Sequence, residues 1–253
     1  MKVTAFVGSA RKNGNTYKTT EFFLKNLQVY GNIDYEIVNL YDYRIEVCRG
    51  CKLCLDKGEE LCPLKDDRDL LIDKMKSSDG VIFSSPNYSF QVSGLMKVFL
   101  DRIAYFFHRP DFFGKTSTCI VIQGVLGGKN IVKYLDFVGS GLGFNVLKGI
   151  CLTALEPMTD NARKIFDRSI KSQSKKYHDL LIKNKKPVPS LFKLALFRMS
   201  RTMISNLQNG VFKDHLYYKE KGWFTSDYYY PVKLNPVKRF IGKLIDVISL
   251  RIS

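Results

Sequence analysis

No run of roughly 18 or more apolar residues occurs in this 253-residue chain, so no membrane-spanning helix is expected. The opening "MKVTAFVGSARKNGN" has only a short apolar run before a Gly-Ser-Arg turn, unlike a secretory signal. The chain is therefore expected in a reducing cytoplasm, where standing disulfides are uncommon. Histidine is scarce, with three residues in all. His108, in "FFHRPDFFGK", has no second histidine near it and reads as structural rather than as a base, while His178 and His215 have no partner in the sequence. There is no internal repeat, no low-complexity tract and no recognised nucleic-acid module, and nucleic acid is not an expected partner.

What is present is unevenly placed. The net charge is +16, of which residues 1–155 carry +4 (20 Lys and Arg against 16 Asp and Glu) and residues 156–253 carry +12 (20 against 8). Hydrophobic residues make up 45% of the chain, enough for a sizeable core. Four of the six cysteines fall within fifteen residues, at Cys48, Cys51, Cys54 and Cys62. Their C-x2-C-x2-C-x7-C spacing leaves disulfides, a zinc site, a redox-active or metal-free loop and an iron–sulfur cluster open, and the expected compartment argues against disulfides.

The first 155 residues alternate short apolar runs with amphipathic segments. "KVTAFVGS" (2–9), "IDYEIVNLY" (33–41), "GVIFSSP" (80–86), "TSTCIVIQG" (116–124) and "NVLKGICLTAL" (145–155) read as strands. Residues 17–30, the stretch after Asp66 and Asp67 (either of which can cap a helix), "SGLMKVFLDRIAYFF" and "NIVKYLDFVGSGLG" read as helices. Strands alternating with helices at this spacing imply right-handed βαβ units and a parallel sheet covered on both faces. The expected fold class is α/β, a flavodoxin-like, doubly wound sheet of five strands over residues 1–155. Cys119 and Cys151 fall inside strands and read as small buried hydrophobes.

Three loops leave the carboxyl ends of these strands, where ligands bind in such sheets. In "GSARKNGNT", Ser9, Asn13, Asn15 and Thr16 offer short polar side chains at a helix start. Gly8 and Gly14 allow close backbone approach to an anion, and Arg11 supplies a forked cation. The bland alternative is an ordinary capped turn. In "SSPNYSFQVSG", Ser85, Pro86, Asn87 and Tyr88 form a rigid turn and Gly94 is expected to let the next helix pack closely; Tyr88 and Phe90 could equally be core. "QGVLGGKN" brings Gln123, Gly124, Gly127 and Gly128 to the same rim.

"GSARKNGNT" resembles the GSxRxxGNT phosphate loop of the NAD(P)H-dependent FMN reductase family, and "SPNYSFQVSGLMKVFLDR" resembles its SPxYxxxxSGxxKxFxDR flavin-ring loop. The resemblance covers residues 1–155. It implies FMN as cofactor, with Ser9, Arg11, Asn13, Gly14, Asn15 and Thr16 around the phosphate. Pro86, Asn87, Tyr88, Ser89, Phe90 and Gly124 would line the ring. The cysteine segment, inserted over residues 47–65, resembles that of the iron–sulfur flavoproteins, which implies a [4Fe–4S] cluster on Cys48, Cys51, Cys54 and Cys62. NAD(P)H or a reduced carrier would supply electrons, and a small molecule or protein would accept them. Because the flavin carries the chemistry, no separate catalytic side chain is named. An electron carrier with no substrate of its own, or a zinc-stapled interaction protein, are the alternatives. The resemblance also implies a homo-oligomer.

Residues 156–253 are expected to form a basic, largely helical extension. "NARKIFDRSIKSQSKKYHDLLIKNKK" reads as the domain's last helix running into solvent. "PSLFKLALFRMSRTMISNL" places Phe192, Leu196, Met199, Met203 and Leu207 on one face, and Trp223 and five tyrosines follow. Packing onto the core or a second subunit is the preferred reading, ahead of a lid over the flavin or attachment to an anionic membrane surface.

Overall fold

The computed structural model describes residues 1–206 and 212–252; Leu207 lies outside the described residues. In chain order the elements begin β1 (Lys2–Val7), α1 (Asn15–Gln28), β2 (Asp34–Asn39), α2 (Leu53–Asp56), α3 (Arg68–Lys76) and β3 (Gly80–Pro86). They continue α4 (Gly94–Arg102), β4 (Thr116–Gln123), α5 (Gly128–Leu142), β5 (Asn145–Val146) and β6 (Ile150–Thr153). Then come α6 (Asp160–Leu181), α7 (Leu191–Ser205), α8 (Lys213–Glu220) and α9 (Pro236–Ile252). They fall into two compact units. The first holds residues 1–48, 66–104 and 110–185, the second 49–65, 105–109 and 186–253.

The first unit is a parallel sheet in the order β2-β1-β3-β4-β5, with β6 also on β4. This is the doubly wound order expected, and strand order reverses between β1 and β3. The fifth strand is broken. Val146 pairs with Ser117 and Ile150 with Ile120, so Leu147–Gly149 departs from the ladder. The Gly149 N–H donates to Asp136 Oδ1 at 3.0 Å there, and a Cβ on Gly149 would sit 2.1 Å from Cys119 Sγ.

Alternation along β1 sorts the two faces. Val3 and Ala5 join Phe23, Leu24 and Leu27 of α1 and Phe166, Ile170, Tyr177 and Leu181 of α6. On the other face Phe6 stacks on Phe99 of α4 with ring centroids 5.1 Å apart. Burying a side chain of this size stabilises by about 1.5–3 kcal/mol, so α6 is a core element and not a solvated tail. The sequence ends its first domain at residue 155, whereas the first unit continues to Lys185. Tyr177 locks the helix down, its hydroxyl 3.2 Å from the carbonyl oxygens of Val81 and Thr116. Cys119 is buried as expected, and burial pushes its thiol pKa well up.

In the second unit the aromatic-rich segment forms its own core. Tyr218, Trp223, Tyr228 and Tyr230 are buried, and Trp223 Nε1 donates to Tyr229 O at 3.0 Å. Trp223 meets Tyr218 and Tyr229 edge-on, with centroids 4.9 and 4.7 Å apart. Such pairs add about 0.5–1.5 kcal/mol beyond burial.

Candidate active site

Chain reversal beyond β1 builds the first wall. Gly8 N–H donates to Ser84 O at 2.8 Å, and a Cβ on Gly8 would lie 2.7 Å from Ser93 Oγ and 2.8 Å from Met96 Cβ. Only glycine fits there. The close approach that the sequence assigns to Gly94 belongs to Gly8, because Gly94 faces open space. Ser9 Oγ accepts from Arg11 N–H at 3.3 Å, and Gly14 N–H donates to Arg11 O at 3.1 Å, which closes a tight loop.

Gly14 is the N-cap of α1, and no side chain caps that helix. Its first-turn N–H groups, from Asn15 to Tyr17, have no intrahelical acceptors, and Asn15 and Thr16 line the cleft. No acid occupies that turn. An anion there gains from both the N–H groups and the helix dipole. Arg11 is exposed beside them, whereas neighbouring Lys12 is paired to Asp42 at 2.9 Å. The Asn15 side-chain amide donates to Ala154 O at 3.0 Å.

The opposite wall follows β3. Asn87 N–H donates to Ile122 O at 2.7 Å, and its side-chain amide donates to Leu126 O at 2.8 Å, tying the second loop to the third. Asn87 Oδ1 is buried with no partner. Tyr88 and Gln91 exchange backbone hydrogen bonds of 3.1 and 2.9 Å around Ser89 and Phe90. Both turn residues are left-handed, with φ of 48° and 63°, a cost for non-glycine residues that tends to persist at ligand-binding loops. In the third loop, Gly128 N–H donates to Gln123 Oε1 at 2.8 Å, and Gly124 has nothing within 4 Å of a would-be Cβ.

These walls enclose a cavity of about 580 Å³. Ser9, Arg11, Asn13, Gly14, Asn15 and Thr16 line one side, and Pro86, Asn87, Tyr88 and Gly124 the other. Ser89 and Phe90 form the turn behind it instead, with Phe90 against Gly127. Ile122, Gln123 and Ala154 complete the lining. Ala154 had no sequence signal, because it reaches the site through parallel pairing of β6. The cavity suits a phosphate-bearing ligand, with an uncapped helix start and a cation at one end and an open glycine at the other. Replacing Arg11 or Thr16 with Ala is expected to weaken FMN binding about 10- to 100-fold in a fluorescence titration, the loss of a charge-assisted or buried hydrogen bond.

The cysteine loop leaves the first unit through a clamp. Arg102 donates to Asp66 through both terminal nitrogens, Nη2 at 3.0 Å from Oδ1, and Nη1 also donates to Glu46 O at 2.9 Å. Glu46 N–H donates to Asp66 Oδ2 at 2.8 Å, and Arg44 N–H to Asp67 Oδ2 at 2.7 Å. Asp67 occupies the N-cap of α3 without a side-chain cap bond; Asp66 instead accepts from Arg68 N–H at 3.2 Å. Burial pushes the Asp66 carboxyl up, but Arg102 and the Glu46 and Arg68 N–H groups outweigh it and hold the carboxyl below its ordinary value.

Within the second unit, Arg109 is 2% exposed and anchors the middle of the loop. Nη2 donates to Cys54 O at 2.7 Å and to Glu59 Oε2 at 2.8 Å, while Nη1 donates to Asp214. His108 Nδ1 lies 2.8 Å from Asp214 Oδ2, the structural role expected of it. Cys48 and Cys51 are exposed, and Cys54 and Cys62 are half-buried. Among the described residues no three His, Cys, Asp or Glu side chains converge as a metal site. The donor chemistry of four thiols suits an iron–sulfur cluster, but their convergence is not seen. Arg102 and Arg109 escaped the sequence reading because a buried arginine has the same letter as a solvated one.

A doubly wound sheet with an anion-accepting cleft at its switch point defines a flavodoxin-like nucleotide-binding protein. The family described as NADPH-dependent FMN reductase matches residues 1–155. An iron–sulfur flavoprotein of Archaeoglobus fulgidus is 31% identical over 236 residues, covering 88% of this chain and 100% of that one. Another, from Methanocaldococcus jannaschii, is 38% identical over 102 residues, 40% of this chain and about half (51%) of its own. An NAD(P)H:quinone oxidoreductase from Methanothermobacter marburgensis shares the fold, with a TM-score of 0.55 over 69% of this chain and 94% of that one at 20% identity. The chain belongs to the NADPH-dependent FMN reductase family and is an FMN-dependent oxidoreductase of that type.

Proposed function

We propose that the chain passes electrons from NAD(P)H through FMN to a small-molecule or protein acceptor, with a [4Fe–4S] cluster on Cys48, Cys51, Cys54 and Cys62. The observation that carries the flavin part is the cleft at the β1/β3 switch point, with the uncapped α1 start on one wall and Asn87 and Tyr88 on the other. Ser9, Arg11, Thr16 and the first-turn N–H groups of α1 would hold the phosphate. Asn87 and Tyr88 would flank the ring. When bound, FMN supplies hydride acceptance and a cluster supplies single-electron transfer. The chain's own residues orient the ring and exclude water from it.

The cluster part rests on the C-x2-C-x2-C-x7-C spacing and on the names of the relatives. Anaerobically purified protein is expected to contain about four irons and matching sulfide per chain. Any one of the four Cys→Ser changes should lower the iron content while leaving FMN bound. Full FMN with no iron would reduce the protein to a plain FMN reductase. NAD(P)H oxidation with added quinone or flavin tests the enzymatic reading, since a pure electron carrier would give almost none.

A further inference from the structure

Helices α7 and α9 each leave an apolar stripe exposed. Every exposed residue of α7 between Leu191 and Met203 is apolar: Leu191, Phe192, Leu196, Met199 and Met203. The helix turns its cations inward. Arg198 is buried, with Nη1 donating to Asp246 at 2.6 Å and Nη2 to Asp227 at 2.5 Å. Arg201 donates to Asp246 at 2.6 Å and to Ser226 O at 2.7 Å. Asp246 belongs to α9, so two ion pairs join the helices.

The apolar side of α9 is left facing outward. Val237, Phe240, Leu244, Val247 and Ile248 recur at helical spacing and are all exposed, Phe240 by 70%. A globular helix normally buries such a stripe. Two adjoining helices exposing one each exceed the scattered surface hydrophobics of an ordinary monomer, a pattern that marks an interaction site.

Charge identifies the partner. Together α7 and α9 contain seven Lys and Arg and one acid, Asp246, which the two arginines already hold. The exposed charges on α9 are therefore all positive: Arg239, Lys243 and Arg251. A second copy of this chain, meeting the same patch in a two-fold contact, would bring those cations against their own kind. An anionic bilayer surface offers both an apolar layer for the stripe and negative headgroups for its flank. Among the described residues no helix is long and apolar enough to cross a membrane. At about 1.5 Å per residue, α9 instead has roughly 25 Å to lie along an interface.

We propose that α7 and α9 dock this protein on anionic lipid surfaces, with Phe240 and Leu244 inserted and Arg239 and Lys243 against the headgroups. This reverses the preference for packing drawn from the sequence, because the apolar faces that could have packed are exposed. The test uses the full FMN-loaded chain with phosphatidylcholine vesicles, alone or with about one third phosphatidylglycerol, at low and high salt. Co-sedimentation is expected with the anionic vesicles, weakening as salt rises, and little with the neutral ones. Phe240→Ser with Leu244→Ser should remove most of it. Arg239→Glu with Lys243→Glu should weaken it about tenfold or more. Both pairs are at the surface, so FMN affinity should not change. No binding to anionic vesicles overturns the proposal, as does binding that neither pair of changes alters. Absent vesicle binding, with the Phe240 and Leu244 changes altering the sedimenting mass, would assign the face to a second copy and also overturn it.

Discussion

Replacing Arg102 with Met should destabilise the first unit by about 3–5 kcal/mol in chemical denaturation, the cost of breaking a buried ion pair from one side. The change strands Asp66, 1% exposed at the side chain, and removes the donor to Glu46 O. Both ends of the cysteine loop would then lose their common anchor. The pH dependence has a definite sign. Because the Asp66 pKa is held below the ordinary carboxylate value, its contribution is present above that value and is lost as pH falls through the folded pKa. The Arg102→Met penalty should therefore be full near neutrality and shrink below about pH 4, where Asp66 can protonate. A penalty that does not change with acidification would mean that the arginine acts through packing alone.

The second large effect belongs to Arg109. Arg109→Met removes a cation that serves Asp214, Glu59 and the Cys54 carbonyl together, and an unfolding cost of about 3–5 kcal/mol is expected. Asp214→Asn in the same chain should recover part of it, since the stranded charge is then gone, and the double mutant should fall short of the sum of the singles. A local readout separates positioning from bulk stability. In cluster-free protein under native conditions the Cys54 thiol should react faster with an alkylating reagent in Arg109→Met, because the loop opens without global unfolding. Equal alkylation rates in the wild type and the variant would show that Arg109 does not hold the loop.

These two arginines mark where sequence pattern stops being informative. Strand and helix placement depended on local pattern, which β1, β3 and β4 express as short, largely apolar runs; their observed spans agree with it closely. The first and second loops of the cleft were legible because glycine, proline and short polar residues have positional meaning beside strand ends. Gly94 was misread for the same reason that Gly8 was under-read: which glycine a helix packs against depends on contacts distant in sequence. The broken fifth strand, with Gly149 against Cys119 and Asp136, carried no local signal either.

The sequence by itself determined the alternating α/β order, the flavodoxin-like sheet and the loops that meet at its switch point, since each follows from residues near one another along the chain. Only the tertiary structure decided that α6 belongs to the first unit's core, that Asn15 spends its amide on Ala154, and that Asp66 and Arg102 clamp the loop. It alone revealed that Arg198 and Arg201 of α7 turn inward to Asp246 while α7 and α9 each leave an apolar stripe exposed. A helical stripe shows that a face will be distinct from its opposite; which face is buried depends on where a partner charge such as Asp246 comes to rest, and that is a property of the fold.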